Sequence, residues 1–173
     1  TGNAGSVTIE GTNSPAQSIL IDGTGSGIST ETQGTGLGGN IFVDANSVTL
    51  QNNTHVTSSS TGTGIAGDIM INVGNQFAMT NSSVTTEALH SRGGAIKITT
   101  TPNGTVELNN STISASVLNG TGGGGSVNID PLYVLMQNSQ ILAQAVQGPG
   151  GNITINITNG GLFLPDASSG ISA

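Results

Sequence analysis

Few residues in this chain can do chemistry. Its 173 residues include nine carboxylates, two histidines, two cations and no cysteine. Without cysteine there are no disulfides, no thiolate metal site and no thiol nucleophile. The carboxylates are Glu10, Asp22, Glu31, Asp44, Asp68, Glu87, Glu107, Asp130 and Asp166. General acid–base cleavage of a glycan needs two of them facing one bond. Glu31 and Glu87 come nearest to that, on the outer side of one strand of the repeat described below. They lie two turns apart with Ser59 between, a separation of roughly 10 Å that suits an inverting pair. The plainer reading, two solvated charges, is adopted. His55 and His90 lack an obvious third metal ligand and read as surface polar residues. Arg92 and Lys97 complete the inventory. No catalytic residue, metal or cofactor is expected.

Composition narrows the partners. The net charge is −7, and phosphate binding needs clustered Lys and Arg. Nucleic acid and anionic membrane surfaces are therefore not expected. No apolar run approaches the roughly 20 residues that cross a bilayer. Only 6% of residues are charged, against roughly 25% in a usual globular domain, so Ser, Thr, Asn and Gln must carry solubility. Gly, Thr, Ser, Asn and Val dominate, and all are weak helix formers.

Position in this chain is set by a repeat. A glycine, a small or polar residue and an apolar–any–apolar triplet recur at Gly5 to Ile9, Gly39 to Val43, Gly67 to Ile71, Gly94 to Ile98, Gly125 to Ile129 and Gly151 to Ile155. A second triplet follows each: Ile19 to Ile21, Val48 to Leu50, Phe77 to Met79, Val106 to Leu108, Val134 to Met136 and Leu162 to Leu164. A third motif completes the unit, as in Val56-Thr57-Ser58 and Ile113-Ser114-Ala115. Alternation puts the apolar residues on one face of each strand. One triplet is too short to stand alone, but stacked copies share a core. The pattern predicts an all-β chain: a right-handed parallel β-helix of about six turns, with three short strands per turn separated by turns. At about 4.8 Å per turn the rod is roughly 30 Å long.

The corners follow from the same spacing. Asn53, Asn81, Asn110 and Asn138 each stand three residues before a third strand. They are expected to form a structural Asn ladder, with amides hydrogen-bonding along the rod. Gly and Asn are expected at corners because they tolerate left-handed backbone. Variable loops are placed at Gly11 to Ser18, Thr32 to Gly38 and Leu118 to Gly124. The outward third-strand row reads Ser29, Thr57, Thr85, Ser114, Leu142 and Ser172. On the first two strands, Phe42 beside Met70 and Leu135 beside Phe163 are the candidate outward contact residues, because contiguous apolar exposure marks contacts.

Gly38 to Ile41, Ala66 to Ile69 and Gly150 to Ile153 read Gly-Gly-Asn-Ile, Ala-Gly-Asp-Ile and Gly-Gly-Asn-Ile. These phrases, with the Ser/Thr-rich cadence from Val56 to Gly64, resemble the repeats of filamentous haemagglutinin-type exoproteins of two-partner secretion systems. The resemblance spans nearly the whole chain. It implies an extracellular or bacterial cell-surface location and a role in adhesion, surface filaments or biofilm matrix. On this reading residues 1–173 are one β-helix segment within a longer shaft. Its partners are further β-helix turns, or copies stacked end to end, and host-surface or matrix glycans. The alternatives are a self-assembling filament subunit and a carbohydrate-binding or carbohydrate-cleaving β-helix.

Overall fold

The computed structural model describes residues 2–157 and 160–173. These contain sixteen strands and no helix. First-strand segments are β1 (Val7–Ile9), the start of β4 (Ile41–Gln51), the start of β6 (Ile69–Thr80), β8 (Ala95–Thr100), β11 (Ser126–Asp130) and β14 (Asn152–Ile155). Second-strand segments are β2 (Ala16–Asp22), the ends of β4 and β6, β9 (Thr105–Asn109), β12 (Tyr133–Gln137) and β15 (Leu162–Pro165). The third strands are β3 (Gly27–Thr32), β5 (His55–Ser60), β7 (Ser83–Ala88), β10 (Thr112–Ser114), β13 (Gln140–Leu142) and β16 (Gly170–Ser172).

Every strand pairs in parallel with its counterpart one turn along, so the chain is a parallel β-helix. The third strands stack as one sheet of six, giving six rungs, or about five full coils from first to last. A parallel pair needs a long crossover, and here each crossover is the rest of one coil.

Period-2 alternation becomes burial. Along the first strands Ile41, Ile69, Ile96 and Val127 stack in register, each 1% exposed. Val48, Phe77, Val106 and Val134 form the matching column on the second strands. Val56, Val84, Ile113 and Ile141 form it on the third. Burying one such side chain contributes about 1.5–3 kcal/mol, so the columns carry the fold. Thr30, Ser58 and Thr86 also point inward, which alternation alone would reserve for apolar groups. Thr30 and Ser58 donate to the Gly39 carbonyl at 2.7 and 2.8 Å, and Thr86 donates to that of Gly94 at 3.1 Å. Those bonds offset their desolvation.

Three expectations need correction. In the second and third coils no turn divides the first and second strands; β4 and β6 run straight through, with one register shift between Ala45 and Ser47. Continuous pairing keeps the backbone groups satisfied where a corner would release them.

The repeat's first glycine is not there for a left-handed bend. Among the described residues, positive φ in glycines is confined to Gly23, Gly25, Gly120 and Gly160. At Gly39, Gly67, Gly94, Gly125 and Gly151 a Cβ would strike the carbonyl oxygen of Gly5, Gly39, Gly67, Gly94 and Gly125 respectively. Close approach of stacked backbones excludes any side chain.

Phe163 does not face outward beside Leu135. β15 is shifted by one residue, so Phe163 pairs with Val134, and Leu164 with Leu135. A one-residue shift exchanges the two faces of a strand. Phe163 thus continues the register of the Val106 and Val134 column while remaining 37% exposed, and Leu162 and Leu164 align with the outward Tyr133 and Leu135.

Candidate contact surfaces

The coil sets outward side chains in straight rows, one per rung. On the first strands the row is Thr8, Phe42, Met70, Lys97, Asn128 and Thr154. Phe42 and Met70 are therefore neighbours, and Met70 is 40% exposed. Leu135 stands outward between Glu107 and Leu164. The third-strand row is Ser29, Thr57, Thr85, Ser114, Leu142 and Ser172. Thr57 and Thr85 share a hydroxyl hydrogen bond of 3.1 Å. Ser114 is buried, flanked by the larger Thr85 and Leu142.

The Asn corner is a backbone device. Asn53, Asn81, Asn110 and Asn138 have φ of 63°, 49°, 46° and 46°, and Gly25 takes the same place in the first coil with φ 82°. Asn is the residue after Gly that visits this region most readily. Among the described residues one side-chain rung joins two of the four: Asn138 Nδ2 donates to Asn110 Oδ1 at 2.6 Å. The continuous ladder lies one residue further on, where the sequence reading did not look. Thr54, Ser82, Ser111 and Ser139 are all buried. The Ser82 amide donates to Ser111 Oγ at 3.2 Å, and Ser111 Oγ donates to the Asn109 carbonyl at 2.7 Å. The Ser111 amide repeats the contact with Ser139 Oγ at 3.1 Å, and Ser139 Oγ donates to the Gln137 carbonyl at 2.8 Å. The Ser111 and Ser139 hydroxyls thereby each satisfy a corner amide and a corner carbonyl, while Ser82 Oγ donates to the Thr80 carbonyl at 2.9 Å and lies 3.1 Å from Thr54 Oγ1. The signal was legible: every corner Asn is followed by Ser or Thr.

A second polar ladder opens the first strands. Asn40 Oδ1 accepts from the Asp68 amide at 2.9 Å, and Asp68 Oδ1 accepts from the Ala95 amide at 2.7 Å. This gives the polar residue after the repeat glycine a structural task.

The carboxylates are spread along the rod. Glu31, Ser59 and Glu87 occupy successive rungs of the third-strand face. Burial raises the Glu87 pKa above the ordinary carboxylate range. The Ser169 hydroxyl holds that of Asp166 below it, helped by the Asn138, Ser168 and Ser169 amides. The Asn52 and Gln51 amides do the same for Asp22. His55 lies over Gly27, while His90 is in the exposed bend after β7. Among the described residues no three His, Asp or Glu side chains gather as a metal site.

The loops after the third strands carry further exposed apolar residues: Leu37, Ile65, Leu118 and Val146, at 52%, 42%, 50% and 70%. They fall outside the triplets, so period-2 reasoning missed them. These loops are also stacked: Thr61 and Thr63 amides donate to the Thr32 and Gly34 carbonyls at 2.9 and 3.1 Å. In comparisons with known proteins, no family model matches the chain, and no curated protein or solved structure shows significant similarity to it.

Proposed function

We propose that this chain is a structural and adhesive segment of an extracellular β-helical exoprotein of the filamentous haemagglutinin type, displayed at a bacterial surface. It acts by architecture and not by catalysis. The observation that carries the reading is the unbroken parallel register of the third strands, which sets one hydroxyl per rung along Ser29, Thr57 and Thr85. A stiff array of hydroxyls and amides with little charge matches the hydrogen-bonding edges of uncharged surface or matrix glycans. The spread of carboxylates over many rungs agrees with a contact surface better than with bond cleavage.

The test is retention of the purified chain on cellulose, chitin and alginate particles, with a Thr57→Lys/Thr85→Lys double variant as control. Both changes sit on the outer face, so circular dichroism should be unaltered. The reading predicts retention on at least one uncharged polysaccharide, and its loss in the variant. Equal retention of both proteins, no retention at all, or release of soluble sugar would overturn it. Long filaments in sedimentation would favour end-to-end assembly instead.

A further inference from the structure

We propose that Asn119 is a site of spontaneous deamidation, selected by the fold from a chain rich in asparagine. Ring closure needs the backbone nitrogen of the next residue to attack the Asn Cγ. The N–Cγ bond forms, the Cγ–Nδ2 bond breaks and ammonia leaves. Water then opens the succinimide at either carbonyl, leaving aspartate or isoaspartate. No oxidant or reductant is involved. The reaction is fastest where the following residue is glycine and its N–H is free.

The structure sorts the Asn–Gly and Asn–Ser pairs by that criterion. At the corners the attacking nitrogens are held. The Ser82, Ser111 and Ser139 amides donate to Ser111, Ser139 and Ser169 hydroxyls at 3.2, 3.1 and 3.0 Å. At Asn103 the Gly104 amide donates to the Thr101 carbonyl at 2.9 Å. Asn46–Ser47 lies within β4. Asn13 is exposed, but Ser14 carries a side chain that crowds the attack. Asn159–Gly160 falls partly outside the described residues. Asn119 is exposed, its neighbour Gly120 has φ 104°, and among the described residues the Gly120 N–H has no acceptor.

The consequence is local. The loop is anchored by the Leu118 amide on the Ala88 carbonyl at 3.0 Å and the Gly124 amide on that of Pro149 at 3.0 Å. Between these, the reaction adds a negative charge near the His90 backbone, which Gly120 approaches. Isoaspartate would also insert a backbone carbon just before Gly120, where the loop approaches the His90 backbone. The core columns are untouched.

The experiment incubates the folded chain in mildly alkaline buffer and follows each Asn by mass spectrometry, with electron-transfer fragmentation to separate isoaspartate. A denatured sample runs alongside. Freeing one hydrogen-bonded amide is worth roughly five- to tenfold in rate. Asn119 should therefore convert roughly that much faster than Asn103, and faster still than Asn81, Asn110 and Asn138. Denaturation should bring Asn103 and Asn119 to similar rates, and Asn119→Gln should remove the product at this position. Conversion of Asn119 no faster than that of Asn103 in the folded chain would overturn the proposal.

Discussion

Replacing Gly94 by Ala should destabilise the rod although its φ is not in the left-handed region. A Cβ there would meet the Gly67 carbonyl oxygen, the Gly67 carbonyl carbon at 2.8 Å and the Ala66 oxygen at 3.1 Å. All are backbone atoms of the coil beneath and cannot rotate aside. Overpacking of this kind costs about 1–3 kcal/mol. Pushing the coils apart also strains the bonds that the Gly94 carbonyl accepts from Thr86 Oγ1 at 3.1 Å and the Ser126 amide at 3.3 Å. Losing one adds about 1 kcal/mol. The reduced entropy of the unfolded chain returns roughly 0.4–1 kcal/mol. The net expectation is a loss of about 2–3 kcal/mol. Gly5 provides the control, since nothing lies within 4 Å of a Cβ at that position. Gly5→Ala should be neutral or stabilising by up to about 1 kcal/mol. Guanidinium unfolding of both variants, followed by circular dichroism, reads the difference. If Gly94→Ala matches Gly5→Ala, the close-approach argument is refuted.

Other perturbations test other parts of the coil. Ser111→Ala leaves the buried Ser82 amide without its acceptor and should cost about 1–3 kcal/mol; hydrogen exchange at Ser82 should accelerate with it. Glu87 has a folded pKa above its unfolded one, so its burden on stability is fully present above the folded value and vanishes below the unfolded one. Glu87→Gln should therefore stabilise at neutral pH, by less than about 1 kcal/mol after solvent screening, and the gain should disappear in acid melts. Phe163→Lys should cost about 1–2 kcal/mol because it removes a ring that is 37% exposed but aligned in register with buried Val134. Leu164→Lys should be nearly neutral, and reversal of that order in thermal melts would restore the unshifted register.

The repeat itself was readable because β-branched triplets recur with a common phase, and stacking in register turns that phase into shared columns. The corner asparagines were readable for a similar reason: few residues other than Gly tolerate positive φ. What could not be read was the distance between backbones. A glycine required by a neighbour's carbonyl looks the same in sequence as one required by a bend, so the general expectation of left-handed corner glycines does not distinguish Gly39 and Gly94. The slip at β15 was hidden because Leu162, Phe163 and Leu164 are all apolar, and alternation carries no information in such a run. The inward Thr30, Ser58 and Thr86 depend on carbonyls supplied by the repeat glycines Gly39 and Gly94, a tertiary contact. The outward rows followed directly from the register, except at Phe163.

The register is the foundation of every surface described, and nuclear Overhauser contacts between backbone protons of adjacent coils measure it directly. The predicted set links Val56 to Val84, Val84 to Ile113 and Ile113 to Ile141 in one parallel ladder. Cross-strand contacts of antiparallel hairpins between neighbouring triplets, or only short-range contacts, would contradict the β-helix and with it the contact rows.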